Sequence, residues 1–306
     1  MNHNLSGHLK GVLAVLLISV SLLLHFTCLL LATLLRILVP TAASQRLMTR
    51  ISIAIATNWI RINNRIFEWL YHIEWQITGD QDLKPDEWYL VTCNHQSWTD
   101  IPICQKLMVN QIPMLKFFLK QELIWVPILG LCWWALDFPF MKRYSPSQIK
   151  RNPKLAGKDL ETTRKACEKF KTTPVSVFNF IEGTRFTEDK HRRQESPFTH
   201  LLKPKAGGAA FALGSMGEYL HTLIDISIVY PDNIHGVWDL FSGRIRRLRI
   251  DIRKIEIPSE FLGKDYTTDR EFKRQFQKWL NALWQEKDRR IEAMKAESSE
   301  TEPRHQ

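Results

Sequence analysis

The sequence predicts an α/β fold: a central mixed sheet flanked by helices, preceded by an N-terminal membrane helix or helix pair. Three observations carry the prediction. Gly11 to Leu35 contains no Asp, Glu, Lys or Arg. Beyond Ile73, short β-rich runs alternate with helical segments, the rhythm of one α/β layer rather than of separate domains. A last helical segment carries Phe272, Phe276, Trp279, Leu280, Leu283 and Trp284 on one face, as a helix docked on such a layer does. The 306 residues thus divide into an anchor (1–73), a main domain (74–262) and a C-terminal amphipathic helix with a polar tail (263–306).

As a helix, Gly11 to Leu35 would reach about 37 Å, enough to cross a bilayer. A secretory signal has an apolar core of only ~7–15 residues, so a retained anchor is expected, although Ala42-Ala43-Ser44 imitates a cleavage site. Only Lys10 is charged before this stretch, whereas Arg36, Arg46, Arg50, Arg61 and Arg65 follow it. The positive-inside rule therefore puts the main domain on the cytoplasmic face, and a re-entrant helix pair gives the same bias. From Ser44 to Ile73, Leu47, Ile51, Ile55, Trp59, Ile62, Ile66 and Leu70 recur at helical spacing, with the arginines on another stripe. That suits a helix lying in the membrane interface, with Trp59 and Trp69 at headgroup depth; the alternative is an ordinary amphipathic helix on the domain core.

In the main domain, strands are expected near Ile73–Thr78, Trp88–Cys93, Pro113–Phe118, Pro139–Lys142, Val175–Ile181, Ile224–Val229 and Ile245–Ile252. Helices are expected over Trp98–Leu107, Gln121–Leu136, Gly157–Lys171, Ala206–Met216 and Asp269–Ala296. Phe186–Pro204 reads as a long polar loop, and the end after Glu297 as disordered.

The net charge of +10 points to an anionic partner: nucleic acid, a lipid surface or a phosphorylated substrate. In Arg244 to Ile252 apolar and charged residues alternate, which marks a half-buried strand, and no nucleic-acid motif accompanies it. Nucleic acid is therefore not expected. The five cysteines form no Cys-x-x-Cys pair, so neither a disulfide framework nor a zinc site is implied, and no metal is expected.

The block Asn94-His95-Gln96-Ser97-Trp98-Thr99-Asp100 follows a strand and pairs an imidazole with a carboxylate. In one continuous helix residues five apart diverge by about 140°, so pairing needs His95 ahead of the helix and Asp100 in its first turn. Ser97-x-x-Asp100 matches a capping box that would start the helix at Ser97, and capping alone would also explain Asp100. A base needs its far nitrogen held by an acceptor, which Asp100 can supply to His95. No nucleophile elbow is present, so the activated hydroxyl belongs to a substrate. Far downstream, Phe180-Ile181-Glu182-Gly183-Thr184-Arg185 places a glycine where a backbone must come close and Arg185 where a phosphate can be gripped by two N–H groups. Glu182 either binds a hydroxyl or holds Arg185. Arg143 and Lys205 stand at element boundaries, the latter opening a helix whose N–H groups favour an anion.

These blocks, in this order, resemble the glycerolipid acyltransferases related to 1-acylglycerol-3-phosphate O-acyltransferase, over most of Trp88 to Asp232. The string Glu182 to His191 with Leu202-Lys-Pro-Lys205 resembles a branch that includes lysocardiolipin acyltransferases, and the layout around Trp134 to Arg143 resembles bacterial YihG-type enzymes. Between the two blocks, Asp137 and Met141 replace the Gly and Ile of the family's Gly-x-x-Phe-Ile-x-Arg; Arg143 is retained. The resemblance implies that residues 74–262 form an acyltransferase domain with a glycerol-3-phosphate acyltransferase-like fold in a cell inner membrane. It implies His95 as base, Asp100 as its orienting carboxylate, and Arg143, Glu182, Gly183, Thr184, Arg185 and Lys205 at the acceptor. The acceptor would be a lysophospholipid, foremost lysophosphatidate; acyl-CoA or acyl carrier protein would be co-substrate, with no cofactor. Remodelling of another headgroup and a catalytically silent lipid-binding scaffold are the rival expectations.

Overall fold

The protein, described by a computed structural model, is seen at residues 2–80, 82–141, 151–152, 167, 170, 173–232, 236–264 and 269–300. Two long helices, α1 (Asn2–Leu38) and α2 (Ala42–Leu70), come first, α2 being capped by Thr41, whose hydroxyl accepts from Ser44 N–H. They run antiparallel, since Arg36 reaches Gln45 and His25 reaches Asn58.

The chain then alternates: β1 (Glu74–Gly79), β2 (Tyr89–Cys93), α3 (Asp100–Met108), β3 (Leu115–Phe117), β4 (Leu119–Lys120), a 3₁₀ turn (Gln121–Trp125), α4 (Leu129–Ala135), β5 (Phe140–Met141), β6 (Ser176–Asn179), α5 (Glu188–Gln194), α6 (Ala206–Met216), β7 (Thr222–Val229), α7 (Val237–Phe241), β8 (Arg247–Glu256) and α8 (Arg270–Glu300). The main sheet has the order β1-β8-β7-β2-β6-β3, with only the β7–β8 pair antiparallel; β4 and β5 pair separately. It is the mixed α/β sheet expected, behind an apolar N-terminal helix.

Every position of β2 is buried, because helices cover both sheet faces. Leu90 joins Val177, Leu213, Phe276 and Trp284 under α6 and α8, whereas Tyr89, Val91 and Cys93 join Ile103, Phe178 and Ile226 under α3. The C-terminal helix docks as its apolar face predicts, with Phe272, Phe276, Leu280 and Trp284 buried.

Several local expectations change. The helix expected over Gln121–Leu136 is broken, because Pro127 has no N–H to donate and clashes with the preceding turn. The polar stretch after Phe186 contains α5, capped by Thr187, with Glu188 and Asp189 at its positive end and Arg192 and Arg193 at its negative end. The C-terminal helix continues to Glu300, past the expected disorder; 301–306, Arg143 and nearly all of the helix expected at Gly157–Lys171 lie outside the described residues.

The anchor also differs in one respect. Ser6–Leu38 is, among the described residues, the one helix long and apolar enough to cross a membrane. Near its start, Gly7 and Gly11 lie against the Ser242 and Phe241 carbonyls, where a Cβ would come within 2.8 Å. There the His8 ring also stacks on Trp238, 6.0 Å between centroids. Near its end, Arg36 pairs with Asp137 at 2.8 Å. Both contacts, about 43 Å apart along a helix, are with the same domain, so α1 lies along it. The α2 helix buries Ser52, Ala56 and Ile60, and Trp59 lines an internal cavity instead of facing outward as an interfacial residue; Trp69 is exposed.

Candidate active site

The site sits at the carboxyl ends of three adjacent parallel strands, β7, β2 and β6, the usual location for ligands in such sheets. Asn94, the first residue past β2, clamps β7: its Nδ2 donates to Ile228 O at 2.9 Å and its Oδ1 accepts from Ile228 N at 2.8 Å. His95 follows in the turn, and α3 begins at Asp100.

His95 Nδ1 lies 2.8 Å from Asp100 Oδ2. A carboxylate offers only lone pairs, so the proton is on Nδ1 and Nε2 is the basic nitrogen. The same Oδ2 accepts from the N–H groups of Gln96 (2.7 Å) and Ser97 (2.9 Å), and Oδ1 accepts from Tyr230 O–H at 2.5 Å. Burial and the adjacent Asp100 push the Tyr230 phenol well above its usual range, so it stays a donor. Asp100 is thus held by four donors and is 1% exposed. Capping and orienting coexist, but not as expected: the helix starts three residues after Ser97, and only the carboxylate half of the capping box forms.

The second block closes on the first. His95 N–H donates to Glu182 Oε1 (2.9 Å), Leu202 N–H donates to Oε2 (2.9 Å), and Phe186 N–H donates to His95 O (2.7 Å). Glu182 is wholly buried, with both oxygens used by backbone, so it neither holds Arg185 nor faces a ligand. The expectation that it binds substrate is corrected: it positions the His95 backbone. Burial pushes its carboxyl up to about 7, against the pull of the two N–H groups.

Phe180 stacks on the imidazole, centroids 3.8 Å apart and planes 14° from parallel. Gly183 adopts φ +71°, and a Cβ there would come to 3.1 Å from the Lys205 side chain, so glycine lets that cation pass. Exposed Arg185 lies over the Trp98 ring at 4.9 Å. Lys190 donates to Thr184 Oγ1 (3.0 Å) and Arg185 O (2.8 Å). Arg185, Lys190 and Lys205 therefore gather around the turn at residues 183–185, whose Gly183 and Thr184 line the same cavity as His95. Sequence reasoning assigned no role to Lys190 or Tyr230: Lys190 meets Thr184 and Arg185 only because α5 turns it back onto them, and Tyr230 reaches Asp100 from 130 residues along the chain.

A cavity of about 1230 Å³ opens from this point. His95, Trp98, Phe180, Gly183 and Thr184 are among its lining residues, and most of the remaining lining is apolar, including Phe26, Leu29, Ile55 and Trp133 of α1, α2 and α4. Asp137, which stands where the family pattern has Gly, has φ +56°, the left-handed region that glycine occupies freely.

The C-terminal helix braces the site from below. Lys287, fully buried, donates to Asp225 Oδ1 (2.6 Å) and Ile226 O (2.7 Å), while Asp288 accepts from Thr199 and His200 N–H, in the segment that leads to Leu202. Lys287→Met is expected to lower unfolding free energy by about 3 kcal/mol, since it leaves a buried carboxylate half-paired. Chemical denaturation checks this; a loss under about 1 kcal/mol would mean that Arg290, 2.7 Å from the other Asp225 oxygen, suffices alone.

Residues 74–229 match the family model described as Acyltransferase. Mouse 1-acyl-sn-glycerol-3-phosphate acyltransferase gamma is 25% identical over 240 residues, covering 73% of this chain and 58% of that protein. Yeast (Saccharomyces cerevisiae) 2-acyl-1-lysophosphatidylinositol acyltransferase is 26% identical over 248 residues, covering 65% and 59% respectively. The chain thus spans little more than half the length of these relatives. The crystal structure of the 1-acyl-sn-glycerophosphate acyltransferase PlsC from Thermotoga maritima shares the fold, with a TM-score of 0.58 at 19% identity, covering 96% of this chain and 98% of that one.

Proposed function

Because the chain belongs to the acyltransferase family, whose model spans residues 74–229, we propose that it transfers a fatty acyl group from a thioester to the free hydroxyl of a lysophospholipid, foremost lysophosphatidate. One observation carries this reading: His95, held by buried Asp100, borders a large and mostly apolar cavity, and Arg185, Lys190 and Lys205 cluster around the turn whose Gly183 and Thr184 line that same cavity. Such a space suits an amphiphile bearing a phosphate.

His95 Nε2 removes the acceptor hydroxyl proton as the oxygen attacks the thioester carbonyl. The C–O bond forms, the C–S bond breaks, and the proton passes to the departing thiolate. Asp100 holds the ring and balances the transient imidazolium charge. Phe180 fixes the ring plane, so the reacting atoms meet in one orientation. Arg185, Lys190 and Lys205 hold the phosphate, and Arg143 is proposed to join them. The donor is acyl-CoA or acyl carrier protein, and no cofactor takes part. The apolar α1, with amphipathic α2 beside it, associates with the membrane in which both acceptor and product reside, in this proposal the inner membrane at its cytoplasmic face.

The test is an assay of the purified full chain against a panel of lysophospholipid headgroups with both thioester donors. Acylation of lysophosphatidate, above acceptors lacking a phosphate monoester, is the expected result; acylation of no acceptor overturns the reading. The inositol-lipid name of the yeast relative motivates a second reading, remodelling of another headgroup, which the same panel separates.

A further inference from the structure

Residues 121–137 form one wall of the cavity. Leu123, Leu129, Cys132, Trp133 and Leu136 line the cavity. Trp125, Leu131 and Trp134 do not; they point outward and are 84%, 51% and 47% exposed. Three large apolar side chains exposed within ten positions are more than a single segment normally shows to water, and such patches mark surfaces that meet an apolar partner.

The surroundings indicate which partner. The wall packs on α1, where Leu29 shares one cluster with Ala135, Leu136 and Phe138. The next residues of α1, Leu30, Leu31, Leu34 and Leu35, are each at least half exposed. The outward face of the wall therefore continues the apolar surface of the one helix long and apolar enough for a membrane among the described residues.

The backbone of the wall is strained at both ends of α4. Ile128 has φ +64° and ψ −59°, and Leu129 N–H bonds to Pro127 O at 2.7 Å, a γ-turn of the rare hand on a β-branched residue. At the other end Asp137 has φ +56° and is tied to α1 through Arg36. Conformations of this kind persist only when the surroundings hold them, and they collect at segments that switch.

We propose that residues 121–137 form a lid whose outer face, Trp125, Leu131 and Trp134, rests in the lipid bilayer and which opens about Ile128 to admit lysolipid from the leaflet into the His95 cavity. The inference rests on the acyltransferase reading. It explains why one short segment is apolar on both sides: the inner side meets the bound chain and the outer side meets membrane hydrocarbon. An amphiphile then need not cross water to reach the base.

The test uses the purified full chain and its W125Q/L131Q/W134Q variant, with one thioester donor and two acceptors. One acceptor is a long-chain lysophospholipid embedded in phospholipid vesicles; the other is a short-chain lysophospholipid dissolved as monomers. The variant is expected to lose at least about tenfold in kcat/KM on the embedded acceptor while staying within about twofold of wild type on the soluble one, which also reports that the site has folded. With no other protein present, a protein-docking role for this face predicts no change on either acceptor. If wild type acylates both acceptors and the variant loses neither or both equally, the lid is overturned and the acyltransferase reading stands. If wild type acylates neither, that reading falls and the lid with it.

Discussion

His95→Ala is expected to lower kcat for acyl transfer by about 10²–10⁴-fold, the range over which a positioned base contributes. His95 is the residue whose Nδ1 is held by a buried carboxylate at the edge of the cavity, leaving Nε2 to act. Alanine removes that nitrogen and the Phe180 stack, but leaves the backbone bonds to Glu182 and Phe186 in place. KM for the acceptor and the thermal transition should therefore change little. Steady-state kinetics with a thioester donor decides the matter: unchanged kcat would remove His95 from its role, and lost transfer with lipid binding intact would exclude the silent-scaffold alternative.

Asp100→Asn is expected to be the next most damaging change, with a smaller effect for a reason specific to this site. Three donors converge on Oδ2, so the amide must present its oxygen there and its NH₂ to Tyr230, whose hydroxyl oxygen can accept. The hydrogen bond to His95 Nδ1 survives, and with it the correct tautomer; the negative charge does not. Without that charge the imidazolium formed as the proton is taken is less stabilised, so kcat should fall, but by less than the ~10²–10⁴-fold expected of His95→Ala. A fall as large as that of His95→Ala would show that the amide had turned and that the tautomer was lost as well. Combining the substitution with Tyr230→Phe separates the two outcomes, because the phenylalanine removes the acceptor that selects the orientation.

Much of this site was legible before any fold was known. The spacing His95-x-x-x-x-Asp100 after a buried strand allowed pairing only if a turn preceded the helix, and the structure places His95 in such a turn. Gly183 was expected where backbone must come close; its positive φ instead accompanies a close approach by the Lys205 side chain. Glu182 was misjudged because a carboxylate beside an arginine in sequence invites an ion pair. Its actual partners are backbone N–H groups of His95 and Leu202, which no local pattern reveals. Lys190 was hidden for a related reason: a lysine in a polar stretch gives no signal until α5 turns it back onto Thr184.

The sequence by itself determined the elements whose signals are periodic or compositional: the apolar α1, the alternating β-rich runs, the amphipathic α8, and the two chemical blocks in order. These follow from burial and backbone preference acting over a few neighbouring residues, so each can be read in place. The tertiary structure alone decided that α1 touches the domain at both ends, that the carboxyl ends of β7, β2 and β6 lie side by side, and that Tyr230, Lys287 and Asp288 reach Asp100, Asp225 and Thr199 across 130, 62 and 89 residues of chain. Those contacts depend on sheet order and on the register of strands distant in the chain. Nothing in a short stretch of sequence encodes a neighbour that only the closed sheet supplies.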